Sequence, residues 1–418
     1  MRPIISIFRP DLNFDLVYMR FRLFSFFAFV IVLGFWAACS SGSGRSAEDA
    51  VNDSLLLVYH PSKESERIDD FIERLHRTRQ FNGNVLVARK GKIIYERAIG
   101  WADYLHRDSL KINSVFQLAS VTKPFTATAI MMLVEEGKLS LDQDVKEFFP
   151  NFPYDGITVR LLLTHRSGMM NYVYFTDDIW KEKMKPMSNT DVMRLIAEHK
   201  PNPYAKPDKV FHYNNSNYMV LAAIIEKVTG KSYAEFMDER IFKPIGLKNT
   251  HVYSTTVYEK IPADVIGHDR VWRRSVVQNF LDGPTGDKGI YSTIHDLFLF
   301  DQALRKGKLI SQESQDSAYA AHNPIKSGHF SYGYGWRIFQ GDNQQVVYHT
   351  GWWHGFRHIY VRDLKNDLTV IFLGNLTNGS LLALDDLYLM LGMPVIRRNA
   401  YSRDGAYLGD GSSGETDD

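Results

Sequence analysis

The chain has 418 residues, 44% of them apolar and 23% charged, with a formal net charge of +1. That is a globular composition with enough apolar material for one large core or two. The near-zero charge, without a basic stripe or zinc-ligand spacing, excludes nucleic acid as a partner; the single cysteine, Cys39, excludes intrachain disulfides and thiolate metal clusters.

The N-terminus reads as a targeting segment. Arg20 and Arg22 precede an apolar run from Leu23 to Ala38, long enough for a signal-peptide core and short for a spanning helix. Small residues just before Cys39 resemble a bacterial lipobox, with Trp36 where leucine is usual. The resemblance implies cleavage before Cys39, lipidation of its sulfur and tethering to a membrane, as in a periplasm-facing lipoprotein of the bacterial cell envelope. A plain secretory signal or an uncleaved anchor is the alternative. Met19 is an alternative start. The expected organisation is a signal at 1–38, a lipidated N-terminus and linker at 39–62, a folded domain at 63–395 and a disordered tail at 396–418, rich in Gly, Ser and Asp.

Residues 65–80 carry apolar side chains at helical spacing. Two β-rich runs between Asn84 and Ala98, separated by Lys90-Gly91, predict a hairpin. Next comes Ser120-Val121-Thr122-Lys123-Pro124, followed by an apolar run closed at Gly137. Proline is tolerated in the first helical turn, so the helix begins close to Ser120. Ser120 and Lys123 then share one face, and the Ser120 N–H lacks an intrahelical acceptor. The helix dipole and apolar surroundings both lower the pKa of Lys123, making Ser120 a candidate activated nucleophile. Taken alone, this tetrapeptide is equally an N-capping serine beside a solvated lysine.

Residues 141–250 read as mainly helical, with helices at 189–199, 217–228 and 232–241, and another is expected across 289–307. Short β-rich runs follow at 334–339, 345–350, 357–362 and 368–373, and a closing amphipathic helix at 380–391. The expected fold is α+β: the two chain ends build one antiparallel sheet flanked by helices, with an inserted all-helical subdomain.

Two further stretches carry chemistry. Tyr213-Asn214-Asn215 places a phenol just before a buried helix, where a nearby cation allows it to pass a proton, and an amide able to bond a substrate amide. His349-Thr350-Gly351 lies between two strand-like runs, and Gly351 leaves room for a substrate backbone along a strand edge. Lys326-Ser327-Gly328 has a similar form but reads as a loop. His349, His354 and His358 cross a turn without a carboxylate among them, which argues against a metal site, and no cofactor is expected. His165 reads as structural. No Gly-x-Ser-x-Gly elbow and no phosphate-binding loop occurs.

The ordered set Ser120-x-x-Lys123, Tyr213-x-Asn215 and His349-Thr350-Gly351 resembles the serine β-lactamase and penicillin-binding-protein superfamily, in its class C β-lactamase-like branch. The resemblance covers about residues 68–392 and includes Leu161 to Met169 and Tyr332 to Trp336. It implies an acyl-enzyme on Ser120, with Lys123 taking or relaying the proton and Tyr213 serving the leaving group and deacylation. It further implies that Asn215 holds the substrate amide, that the N–H groups of Ser120 and Trp352 form the oxyanion hole, and that His349 and Thr350 bind a carboxylate or polar end. Lysine is usual where this chain has His349, which resembles DD-peptidases, D-aminopeptidases and esterases of the branch. The expected partner is a small molecule or peptide: a D-amino-acid peptide of the cell wall, with an ester or β-lactam as alternatives. A non-catalytic wall-peptide-binding protein on the same scaffold is the rival from another class.

Overall fold

The computed structural model describes residues 47–58, 61–253, 265–323, 329–341 and 344–396. The signal segment, Cys39, the Lys326 triplet and the tail after residue 396 lie outside them. Within the expected linker, Ala47–Leu55 is helical. Among the described residues no helix is long and apolar enough to cross a membrane.

Helix Lys63–Arg79 opens on a capping box, in which Ser62 and Ser65 satisfy each other's backbone N–H groups. The hairpin follows: β1 (Gly83–Arg89) and β2 (Lys92–Ile99) are joined by Lys90 and Gly91, both at positive φ, as a type I′ turn demands. The short strands β3 (Trp101–Asp103) and β4 (Asp108–Ser109) pair with each other, and β5 (Phe116–Gln117) leads into the Ser120 turn. β6 (His251–Val252) and β7 (Ile290–Ser292) complete a three-stranded sheet with β5. The C-terminal part supplies β8 (Phe330–Tyr332), β9 (Arg337–Gln340), β10 (Gln345–Trp353), β11 (Phe356–Asp363) and β12 (Leu368–Gly374).

The main sheet has seven strands in the order β2-β1-β12-β11-β10-β9-β8, antiparallel throughout. The two ends of the chain meet at β1 and β12, as the composite-sheet expectation requires. Alternation along these strands feeds two cores. Val85, Val87, Val370 and Phe372 face helix Lys63–Arg79, while Leu86, Ala88, Ile371 and Leu373 face helix Ile294–Arg305 and the helical region. Both faces are covered, so β1 and β12 read as nearly continuous apolar runs. Each large apolar side chain buried this way contributes roughly 1.5–3 kcal/mol before entropy is subtracted.

The 289–307 segment differs from expectation. Ile290–Ser292 pairs with β5 and β6, and the helix starts only at Ile294, where Thr293 caps Asp296. Helix 217–228 starts earlier, at Asn215, because Asn214 accepts from the Ser216 N–H. The closing helix is split: Ser380–Leu382 forms a 3₁₀ turn and Asp385–Met390 a separate helix.

A buried ion pair ties helix Ile294–Arg305 to the sheet. Asp301 accepts from Arg362 Nε at 2.5 Å, Arg305 Nε at 3.0 Å and Thr369 Oγ1 at 2.8 Å. Both Asp301 and Arg362 are fully buried. Asp301→Ala leaves the Arg362 charge uncompensated and is expected to destabilise the fold by about 3–5 kcal/mol, read from the urea midpoint. A change below about 1 kcal/mol would show that the pair is not holding the helix to the sheet.

Candidate active site

The nucleophile turn is built by strain followed by a helix start. After β5, Ala119 takes a φ of 50°, Ala119–Val121 makes a 3₁₀ turn and the α-helix runs from Thr122 to Glu135. A left-handed alanine costs on the order of 1–3 kcal/mol and persists only where its surroundings impose it. Leu118 does so by donating to the Ile290 carbonyl at 2.8 Å. Pro124 lies in the first turn, where its missing N–H is harmless. At the far end Gly137 and Lys138 donate to Val134 and Leu133, a Schellman closure with Gly137 at φ 66°. The Ser120 N–H therefore stands in the unsatisfied first turn of the helix.

Lys123 is fully buried among oxygens. Its Nζ is 3.0 Å from Ser120 Oγ, 2.9 Å from Asn215 Oδ1 and 2.9 Å from the Asp287 carbonyl. Burial pushes its pKa down to about 7; Asp287 opposes this and Arg337 adds to it. A neutral amine has two N–H groups and one lone pair. Asn215 Oδ1 and the Asp287 carbonyl can only accept. The two N–H groups therefore go to them, and the lone pair faces the one partner that owns a proton, the Ser120 hydroxyl. That arrangement is a base hydrogen-bonded to a half-buried nucleophile.

The Asp287 carbonyl is delivered by a turn the sequence reading did not single out. Gly286 and Gly289 take φ values of 95° and 103°, and a Cβ on Gly286 would lie 2.4 Å from the Tyr218 carbonyl oxygen. Between them Asp287 accepts from Tyr172 Oη at 3.1 Å, and Lys288 Nζ donates to Tyr172 Oη and, at 3.3 Å, to Asp287. Burial lowers the Lys288 pKa, against the pull of Asp287. Two glycines bracketing an Asp-Lys pair were the available signal in the sequence.

Tyr213 sits in the loop just before the cap residue Asn214 and is almost fully buried. Its ring lies 4.9 Å from Lys123 Nζ and 4.8 Å from the Arg337 guanidinium carbon. His165 holds this loop: its Nδ1 accepts from the Asn214 N–H at 3.2 Å and from Asn217 Nδ2 at 3.0 Å. Its pKa is driven well below the usual value by burial and then by Lys123. It is a neutral scaffold residue.

The third stretch lies on β10, which changes character along its length. Residues Val346 to Tyr348 pair with β9 on one side and β11 on the other; from His349 to Trp353 only β11 is paired among the described residues. The strand is therefore interior first and an edge afterwards, with the edge opening at His349. A Cβ on Gly351 would lie 2.6 Å from the Leu118 carbonyl oxygen, so this edge is pressed against the Ser120 turn. Thr350 and Trp352 are partly exposed there, and Arg357 stacks on the Trp352 ring at 4.6 Å. Trp353 donates to Asp282 at 2.7 Å, and Lys288 Nζ lies 4.9 Å from its ring.

His349 does not match a carboxylate-binding cation. It is fully buried, with Nδ1 2.7 Å from the Thr350 carbonyl and Nε2 3.0 Å from Tyr332 Oη. Nδ1 must donate to a carbonyl, so Nε2 accepts the Tyr332 proton and the ring is neutral. Burial, then Arg337 and Lys123, hold its pKa well below the usual range. A cation does lie one strand over: Arg337, opposite Tyr348 on β9, nearly buried and set over the Tyr213 ring. Nothing in its local pattern, the residue after Tyr334-Gly335-Trp336, marked Arg337 as part of the site.

Among the described residues no group of His, Cys, Asp and Glu could hold a metal ion. Ser120, Lys123 and Asn215 are joined by direct hydrogen bonds; Tyr213 and the β10 edge border them.

The Beta-lactamase family model matches residues 68–391, and the chain belongs to that family, within the serine β-lactamase and penicillin-binding-protein superfamily. Penicillin-binding protein 4* of Bacillus subtilis (strain 168) is 34% identical over 324 residues, covering 74% of this chain and 71% of the relative. Among solved structures, the octameric penicillin-binding protein homologue from Pyrococcus abyssi matches with a TM-score of 0.68 at 28% identity, over 78% of this chain and 77% of that one. D-amino acid amidase from Ochrobactrum anthropi SV3 shares the fold, with a TM-score of 0.63 at 23% identity over 75% of this chain and 90% of its own. The chain is thus a β-lactamase-fold member of a serine hydrolase family.

Proposed function

We propose that this chain is a serine hydrolase that works through an acyl-enzyme on Ser120, acting on D-amino-acid peptides or related amides. The observation that carries the reading is the Lys123 amine held between two obligate acceptors and the Ser120 hydroxyl. Ser120 Oγ gives its proton to the Lys123 lone pair and attacks the substrate carbonyl. The oxyanion is received by the N–H groups of Ser120 and Trp352. Tyr213 returns a proton to the leaving group and then serves the water that releases the acyl group. Asn215, with its oxygen engaged by Lys123, offers its amide N–H₂ to the substrate.

Substrate class rests on two supports. The Bacillus subtilis relative is a penicillin-binding protein by name, and one fold neighbour is a D-amino acid amidase. The free edge of β10 suits an extended backbone. Ester and β-lactam hydrolysis are the competing activities, and holding wall peptides without turnover is the non-catalytic alternative. We place the protein at the bacterial cell envelope, exported and tethered through Cys39. Purified full-length chain is to be assayed on D-peptides, short p-nitrophenyl esters and a chromogenic cephalosporin. Faster turnover of the D-peptide supports the proposal; ester turnover alone, or binding without turnover, refutes it.

Arg337 gives a second test. Its charge lowers the Lys123 pKa, so Arg337→Met raises that pKa and moves the acid limb of kcat/KM upward by roughly 0.5–1 pH unit. Arg337→Lys restores most of the difference. An unmoved limb in Arg337→Met, with lost activity, would mean that Arg337 only packs against Tyr213.

A further inference from the structure

Five of the large apolar side chains that stand exposed fall on two neighbouring loops. Trp101 (38% exposed) and Leu105 (78%) belong to β3 and its turn into β4; Val271 (62%), Trp272 (82%) and Val277 (78%) belong to the segment after residue 265. The two loops are fastened together. The Ile266 N–H donates to the Ala102 carbonyl at 3.0 Å, and Asn375 Nδ2 reaches the Trp101, Ala102 and Ile266 carbonyls. Tyr104 packs edge-on to His268 at 5.0 Å and carries the Arg273 guanidinium over its ring, also at 5.0 Å.

The outer loop is a braced turn rather than a loose one. Asp269 N–H donates to the Arg274 carbonyl at 3.0 Å, and the His268 ring engages the Arg273 carbonyl at 3.0 Å. Trp272 and Arg273 both sit at positive φ, 62° and 51°. Two successive non-glycine residues in that region cost stability, and here the result is a tip that thrusts an indole into solvent. Every residue from Arg270 to Ser275 is exposed, as are Leu105 to Ser109. Four arginines surround the apolar tips: Arg107, Arg270, Arg273 and Arg274. None of the four is in an ion pair among the described residues, and the acids on the same loops that reach solvent are Asp108 and Asp269.

We propose that these paired tips are a docking surface for the anionic headgroup layer of a lipid bilayer. The exposed apolar groups stand on two loop tips, which suits them to a deformable surface. Tryptophan prefers the headgroup depth, where its ring is buried and its N–H stays wet. Leu105, Val271 and Val277 add aliphatic insertion, and arginine adds attraction to anionic lipid. The patch is also next to the catalytic cleft: a Cβ on Gly267 would lie 1.9 Å from the His354 carbonyl oxygen, in the β10–β11 turn that directly follows Trp352 and Trp353. Docking through the tips therefore fixes how the cleft mouth is turned relative to the bilayer, a constraint that the proposed anchor at Cys39 alone does not impose.

The test uses the full-length chain with vesicles of phosphatidylglycerol or phosphatidylcholine carrying brominated acyl chains. Emission of the wild type minus that of Trp272→Phe isolates Trp272 from the other tryptophans, including any in the N-terminal segment. The expected result is strong quenching of Trp272 in the anionic vesicles and little in the zwitterionic ones. The docked population, on the scale of the docked-to-free ratio, falls about fivefold for each arginine removed in the series Arg270→Gln, Arg273→Gln, Arg274→Gln. Hydrolysis of a soluble D-peptide stays at the wild-type rate in all of these variants, which separates failure of docking from failure of the proposed chemistry. Trp272 emission that stays water-exposed on anionic vesicles overturns the proposal. So does a Trp272-dependent self-association of the chain in solution without vesicle quenching, which would assign the tips to a second copy.

Discussion

Ser120→Ala is expected to lower kcat by roughly 10⁴–10⁶-fold on whichever substrate the wild type turns over, and to abolish covalent labelling by a fluorophosphonate. The size follows from what the residue does. Its oxygen forms the bond to the acyl group, and no neighbouring hydroxyl or thiol stands against Lys123 to replace it; the other two contacts of Nζ are a side-chain amide oxygen and a backbone carbonyl. Loss of stability should be small, because Ser120 is only half-buried and its hydroxyl holds no other element in place. Labelling of the alanine variant at normal stoichiometry would remove Ser120 as the nucleophile.

Lys123→Met is the second large effect, and it has two readouts of opposite sign. Activity falls by roughly 10³–10⁴-fold, because the hydroxyl loses its base while the oxyanion donors remain. Stability should rise. Lys123 has a pKa of about 7 in the folded protein against 10.5 for the ordinary side chain. Between those values the unfolded chain binds a proton that the native chain does not, so stability increases with pH across the window from about 7 to 10.5. Below pH 7 both states are protonated and the native state bears the full cost of a buried ammonium. Methionine removes that cost, with an expected gain on the order of a few kcal/mol at pH 7 in urea denaturation. The wild-type acid limb follows from the same group: kcat/KM rises about tenfold per pH unit until Lys123 loses its proton near pH 7, then levels. A flat profile from pH 5 to 8, or a methionine variant less stable than wild type, would contradict a neutral, unfavourably buried Lys123.

Much of this was legible from local rules. Pro124 set the helix start, Gly137 its closure, Lys90-Gly91 the hairpin, and the β-rich runs at both ends of the folded part the sheet. These are signals in which one residue type has one conformational meaning. The misses share a different cause. Ile290–Ser292 was absorbed into a helix because its strand character comes only from pairing with β5 and β6, remote in sequence. His349 looked like a weak cation because the sequence shows an imidazole but not that Tyr332 and the Thr350 carbonyl occupy both its nitrogens. Arg337 was invisible for the converse reason: its role depends on β9 lying beside β10 opposite Tyr348. Burial decides charge at this site, and burial is a tertiary property.

The change along β10 offers a way to count occupied clefts without any chemistry. Residues Val346 to Tyr348 have a partner strand on both sides, while those from His349 to Trp353 have one on one side alone among the described residues. In the empty protein the outward-facing amides of the second group exchange with deuterated solvent far faster than those of the first. An extended ligand lying along that edge slows them and leaves the first group untouched. The ratio of exchange between the two halves of one strand is therefore an internal gauge of binding. It reads equally well in Ser120→Ala, where a bound molecule stays intact.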